Sequence, residues 1–199
     1  MGSEYGVADW NPATTNRGAQ ATLTVVHGHA DDCATGMFGF VAHALWEGTA
    51  NSTFQYFAEA GYTWCFENQR GLYNYWADWR STFGYAEHKI GTTTVGTEEN
   101  VKIHYIGDNE WEIDLAGSPC CYSVDNPGNS TWMSTGLEAT SPFSELDCGT
   151  SASLFYLKLE NGWQSTWQGA ALRTRGAGHV RWLTMNLDEV DWENHSGGC

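Results

Sequence analysis

The chain has 199 residues, 41% hydrophobic and 14% aromatic, with 24 acidic against 9 basic side chains and a formal net charge of −15. That charge argues against nucleic acid and anionic membrane surfaces as partners, since both carry the same sign. No apolar run approaches the roughly 18 residues of a membrane span, and a chain this apolar and aromatic is not disordered.

The length suits one domain over 1–199, with a core large enough to need no metal. Residues 1–20 are polar, with Asn11-Pro12 and Asn16-Arg17-Gly18, and are expected to form a lead-in along the surface. Met1-Gly2-Ser3 runs directly into polar sequence, so a leader is either absent or replaced by a start codon. Gln20–His29 (QATLTVVHGH) alternates and is rich in Thr and Val, which predicts a strand. Asp31-Asp32 starts a turn, and Gly36–Trp46 reads as a second strand because Phe-Gly-Phe-Val suits a sheet.

Ser52–Glu67 and Gly71–Trp79 are two aromatic-rich strands around the polar break Asn68-Gln69-Arg70-Gly71. Lys89–Thr97 is a Thr/Gly/Val stretch. Asn100–Ile106 and Glu110–Leu115 flank Gly107-Asp108-Asn109 and predict a hairpin with an Asp-Asn turn. Pro119–Asn129 shows little periodicity and is expected to be a loop. Thr131–Thr140 predicts a strand and Ser141–Gly149 a loop; Ser153–Leu159, Gly162–Trp167 and Gly178–Leu187 close the series. No segment holds a helical period over three turns. The pattern predicts an all-β chain, an antiparallel two-sheet sandwich of concanavalin-like or jelly-roll type.

Six cysteines, Cys33, Cys65, Cys120, Cys121, Cys148 and Cys199, are spread without a CxxC. They predict disulfides in a secreted protein, with the pairing left open. Asn51, Asn129 and Asn194 each fit the glycosylation sequon.

Motifs for serine hydrolases, HExxH zinc enzymes, P-loops and dinucleotide binding are missing. His27, His29 and Asp31 would share a face in a strand and offer metal ligands, although a strand running into a polar turn explains them as well. No metal or cofactor is therefore expected. Carboxylates remain. An acid–base pair needs two, from different strands, whose repulsion separates their pKa values. Glu59 interrupts an aromatic run, and a face shared by Phe57, Glu59 and Gly61 leaves room for a substrate backbone beside the glycine. Glu138, in Trp132–Pro142, is a second candidate; Glu145 and Glu112 compete with it.

At AEAGYTW (Ala58–Trp64) followed by LYNYWADW (Leu72–Trp79), the sequence resembles the neprosin-type glutamic peptidases and, more distantly, the eqolisins. Glu59-Ala60-Gly61-Tyr62 matches their E-A-G-aromatic motif, which is Q-A-G in eqolisins, and Tyr75-Trp76 matches a following aromatic pair. The resemblance covers about a quarter of the chain. It implies a two-sheet sandwich and a metal-free acid endopeptidase whose second glutamate lies on a later strand. Glu138, 79 positions beyond Glu59, has a compatible spacing. It also implies that Tyr62, Trp64, Tyr75 and Trp76 line a groove for an extended peptide.

Two other readings fit the composition. One is a non-catalytic extracellular sandwich that binds glycans or surfaces, or self-assembles. The other is a glycoside hydrolase, which also needs two carboxylates; Glu110-Trp111-Glu112-Ile113-Asp114 lacks a third acid at the spacing that reading requires.

Overall fold

A computed structural model describes residues 4–10, 16–29, 33, 41–48, 56–80, 83–124, 126, 130, 132–139, 145–159, 162–165, 171–175, 180–185 and 189–194. All regular structure among them is β. The strands are β1 (Glu4–Trp10), β2 (Gly18–Thr24), β3 (Gly28–His29), β4 (Val41–Gly48), β5 (Phe57–Phe66), β6 (Gln69–Arg80), β7 (Gly84–Thr92) and β8 (Glu98–Gly107). There follow β9 (Glu110–Leu115), β10 (Ser118–Ser123), β11 (Trp132–Ala139), β12 (Glu145–Leu159), β13 (Gly162–Ser165), β14 (Ala171–Arg175), β15 (Val180–Met185) and β16 (Glu189–Asn194).

They form two sheets, as the strand pattern predicts. A seven-stranded sheet has the order β14-β1-β11-β4-β5-β6-β7, and a nine-stranded sheet runs β10-β9-β8-β2-β12-β16-β15, with β13 and β3 both paired to β12. The core lies between them. Ala58, Ala60 and Tyr62 of β5 and Met133 of β11 pack with Ala19, Ala21 and Leu23 of β2, Val101 and Ile103 of β8, and Trp111 and Ile113 of β9. Each set comes from alternate positions of its strand, as a two-residue period requires. Tyr62, the largest fully buried side chain among the described residues, pins the sheets together. Its hydroxyl donates to the Thr24 carbonyl at 3.0 Å and accepts from the Val26 N–H at 3.4 Å.

The turns explain the local register. Glu67 and Asn68 have φ of 45° and 68°, and Asp108 and Asn109 have 51° and 61°. Both pairs fit the two-residue turn whose twist matches paired strands. The first turn falls just ahead of the expected polar break, and the second is the expected Asp-Asn turn. Ala116 and Gly117 (φ 52° and 78°) make a third turn, so Ser118–Ser123 is a strand where a loop was expected. Two more expectations are corrected. Glu4–Trp10 is no surface lead-in but β1, hydrogen-bonded between β14 and β11. β12 begins at Glu145, inside the stretch expected to be a loop.

Cys33 and Cys65 form a disulfide. Cys65 sits where the β5–β6 register shifts, and a bulged residue leaves the ladder, which frees its side chain for Cys33. Cys120 and Cys121 form a vicinal pair on the edge strand β10. On the inner side of β6, buried Asp78 accepts from the Ser123 hydroxyl at 2.7 Å, and Ser123 accepts from the Asn126 amide at 3.2 Å. This polar chain ties the end of β10 to the seven-stranded sheet.

Candidate functional site

Strand β5 decides which residues meet. Its even positions 58, 60 and 62 enter the core, so the odd positions Phe57, Glu59, Gly61 and Thr63 face outward from the seven-stranded sheet. Residues directly opposite in antiparallel strands share a face. Glu59 lies opposite Trp46 of β4 and Ala77 of β6; Trp46 lies opposite Ser134 of β11, and Ala77 opposite Glu87 of β7. One row across five strands therefore reads Ser134, Trp46, Glu59, Ala77, Glu87.

The rows on either side complete the site. On one side Gly61 lies opposite Ala44 and Tyr75, and Ala44 opposite Gly136. Three neighbouring strands thus place two glycines and an alanine side by side, a strip with almost no side chain beside the carboxylate. On the other side Phe57 lies opposite Trp79, and Trp79 opposite Tyr85. Their rings pack with centroids 5.9 to 6.4 Å apart, within the range of favourable aromatic pairs. Trp79 and Tyr85 are 42% and 43% exposed, so this cluster presents an apolar shelf.

Glu59 is only 7% exposed, and a buried carboxylate is costly without donors. The Tyr85 hydroxyl is 3.2 Å from Glu59 Oε1 and also in hydrogen-bond contact with Glu87 Oε1. Although much of Tyr85 is exposed, its hydroxyl end lies between two acids. Burial first, then the Glu59 carboxylate, Tyr75 and the Glu87 carboxylate, hold the Tyr85 phenol far above its ordinary value. The phenol therefore stays protonated and acts as a donor over any ordinary pH.

Of the groove residues expected from sequence, Tyr75 is on the Glu59 face. The register corrects the other three. Tyr62 is fully buried between the sheets, and Trp64 and Trp76 pack against the same core. Trp64 also covers the Cys33–Cys65 bridge and lies 4.9 Å from the His27 ring, and Trp76 stacks on His88 at 4.3 Å. They have the opposite parity from Glu59. In the backbone register Glu138 lies opposite Ala42, and Ala42 opposite Thr63. It stands four residues along β11 from Ser134, the residue in Glu59's own row. Two strand spacings and four residues put the two Cα atoms ~16 Å apart. Glu112 alternates with core residues Trp111 and Ile113 of β9, and Glu145 belongs to β12; both are in the other sheet. Sequence reasoning missed Glu87, Tyr85 and the Phe57–Trp79 shelf.

Among the described residues, the group with metal-ligand spacing is His104, Glu112 and Asp114, on the outer side of the nine-stranded sheet. His104 Nε2 is 3.5 Å from Glu112 Oε1, while Lys102 is ion-paired with Asp114. The ammonium thus already occupies the place of a cation at Asp114. The His27–His29–Asp31 call falls partly outside the described residues, which do not include residue 31; His27 is exposed and packs on Trp64.

The whole architecture matches solved structures. The fold is eqolisin-like. Scytalido-glutamic peptidase, solved with a peptide-based transition state analogue, aligns with TM-score 0.70 at 11% identity over 97% of this chain and 98% of that one. SCP-B, a member of the eqolisin family solved with the tripeptide Ala-Ile-His, aligns with TM-score 0.65 at 12% identity over the same shares. At such identity the likeness establishes the fold alone. No family model and no curated protein matches the chain.

Proposed function

We propose that this chain is a secreted glutamic-type acid endopeptidase, of neprosin or eqolisin kind, in which Glu59 is one of two carboxyl groups acting on a bound water. The observation that carries the reading is a buried glutamate beside a strip of Gly61, Ala44 and Gly136. An extended peptide backbone fits over such a strip, and its side chains would find Tyr75 on one flank and the Phe57–Trp79–Tyr85 shelf on the other. The eqolisin-like fold and the Cys33–Cys65 disulfide agree with this reading.

The chemistry balances without a cofactor. An ionised carboxylate takes a proton from water as the water oxygen bonds to the scissile carbonyl carbon. A neutral carboxyl group donates a hydrogen bond to the developing oxyanion. The first group then returns its proton to the amide nitrogen as the C–N bond breaks, leaving an acid and an amine. One carboxyl must be neutral and one ionised, so the rate peaks in the carboxylate range, about pH 3–5. Glu138 is the second acid suggested by sequence, on β11, two strands from β5 in the same sheet.

The test is digestion of a denatured protein across that range by wild type and Glu59→Gln. Hydrolysis that disappears in the variant is expected. No hydrolysis by wild type sinks the proposal. The exposed shelf supports a second reading, a glycan-binding module, because sugars stack on flat aromatic faces. Loss of glycan-array binding in Trp79→Ala, without any hydrolysis, would favour it.

A further inference from the structure

We infer that Lys89 forms an anion subsite of the peptide groove, which selects substrates carrying a carboxylate about three residues from the scissile bond. The inference rests on the peptidase reading of the Glu59 site and adds a substrate class to it. That class is peptides with an acidic side chain or a free carboxyl end at that distance.

The register places the subsite. Gly136, Ala44 and Gly61 make the strip over which a peptide backbone fits, and the same row continues through Tyr75 of β6 to Lys89 of β7. A peptide laid along the strip is thereby led to Lys89 on the edge strand. Gly61 and Lys89 are two strand spacings apart, ~10 Å, which an extended chain covers in about three residues. The Lys89 ammonium stands over the Tyr73 ring, 3.8 Å from its centroid, and donates to Gln69 Oε1 at 3.3 Å. Tyr73 belongs with Tyr75 and Ala77 to a buried cluster apart from the core between the sheets, and Ala77 lies opposite Glu59. Lys89 is therefore seated on the Glu59 face. Tyr73 is itself held in place, because its hydroxyl donates to the Arg70 carbonyl at 3.1 Å.

Both partners of this ammonium are neutral. The chain has 24 acidic and 9 basic side chains, yet Lys89 is ion-paired with none of the described acids. Glu87, two residues away on the same strand and face, turns to the Tyr85 hydroxyl instead. Lys102 shows the contrast, being ion-paired with Asp114 in the other sheet. An aromatic face and an amide oxygen hold a cation without neutralising it. An ammonium has three donors, so with one given to Gln69 it can still donate to a carboxylate. Lys89 is also exposed to an incoming chain. Its side chain is already ordered by Tyr73 and Gln69, so less freedom is lost on binding than for an unsupported surface lysine. Glu59 and Glu87 offer a carboxylate no attraction, which leaves Lys89 to fix where a substrate's own acid comes to rest.

The test reads binding and cleavage separately. Short labelled peptides with a central Phe-Ala bond are made in matched pairs: aspartate or asparagine three residues to either side of that bond, and a chain end three residues beyond it as free acid or amide. They are titrated by fluorescence anisotropy into Glu59→Gln at about pH 5, where these carboxylates are mostly ionised. The carboxylate member of at least one pair is expected to bind about 3- to 10-fold more tightly. Adding Lys89→Ala should erase that preference, Lys89→Arg should keep it, and Lys89→Glu should reverse it. Preference in an aspartate pair assigns the subsite to an acidic side chain, and preference in the chain-end pair assigns it to a terminal carboxylate; both support the inference. Equal affinity within every pair, no binding, or a preference that survives Lys89→Ala overturns it, whether or not the wild type cleaves. In parallel, wild type and Lys89→Glu digest a denatured protein, and the cut sites are read by mass spectrometry. Acids or chain ends near the third position should be enriched for wild type and depleted for the variant. Cleavage with the same site profile in both overturns the inference and leaves the peptidase reading standing. Absence of cleavage beside a Lys89-dependent binding preference does the reverse. Circular dichroism of each variant separates loss of function from loss of fold.

Discussion

Replacing Tyr62 with phenylalanine tests the parity of β5 directly. The ring stays, so no cavity opens. What is lost is the hydroxyl that serves the Thr24 carbonyl and the Val26 N–H. Val26 is 8% exposed and Tyr62 is fully buried, so water does not readily take the place of the lost group. Leaving a buried backbone donor unsatisfied costs about 1–3 kcal/mol. For a chain of this size each kcal/mol moves Tm by about 2–4 °C, so Tm should fall by about 2–12 °C. Thermal and urea unfolding followed by circular dichroism measure it, with the urea midpoint falling and the slope unchanged. The same variant should leave KM for a polypeptide substrate at its wild-type value, because Tyr62 points away from Glu59. A raised KM with an unchanged Tm would refute the assignment of faces, and with it the row that joins Glu59 to Glu87.

Gly18→Ala should destabilise by about 1–3 kcal/mol, because an added Cβ would lie 2.7 Å from the Ile103 carbonyl oxygen and 2.7 Å from His104 Cβ; unchanged urea unfolding would contradict the β2–β8 packing. Tyr85 should keep its proton in the native chain above its ordinary value of 10.0. Its stabilisation is present below that pH and is lost as pH rises further, because only the unfolded phenol can then ionise. Ultraviolet titration to about pH 11 should count equal phenolates in native wild type and Tyr85→Phe, and one more in wild type after unfolding. An extra phenolate in the native wild type would show that Tyr85 is not enclosed by the two acids.

The sandwich was legible because alternation and turn chemistry are local. Asp108-Asn109 announces its own hairpin, and β2, β8 and β9 each show one apolar face. The shared face of Phe57, Glu59 and Gly61 followed from the same period. The groove aromatics were misplaced because β5 is buried on both faces: Tyr62 and Trp64 look like Glu59's neighbours along the chain but stand on the other side of the sheet. Alternation gives no warning when both faces are apolar. β1 was hidden for another reason. Its partners are β11 and β14, well over a hundred residues away, and no local pattern reports such pairing. β10 was hidden by its turn, since Ala116 occupies a left-handed position that asparagine or glycine usually signals.

The acids of the seven-stranded sheet show what kind of reasoning was missing. Spacing along the chain pointed to Glu138 and gave no hint of Glu87, because it is register that places residues in one row. Glu59 and Glu87 lie on the outer strands of a three-stranded meander, β5–β6–β7, whose pairing is set by two short connections. Once the Glu67-Asn68 turn and the register shift at Cys65 together fix Glu59 opposite Ala77, and the β6–β7 connection fixes Ala77 opposite Glu87, the acids must share a row. A shift of one residue in either hairpin would send one of them to the core side. The small residue between them is then as informative as the acids. Any larger side chain at position 77 would fill the space where the Tyr85 hydroxyl meets both carboxyl groups. Ala77→Leu should therefore displace the Tyr85 hydroxyl while leaving both glutamates in place, and the phenol should then ionise nearer its ordinary value in ultraviolet titration. An unchanged phenol titration in that variant would mean that position 77 does not border the Tyr85 hydroxyl.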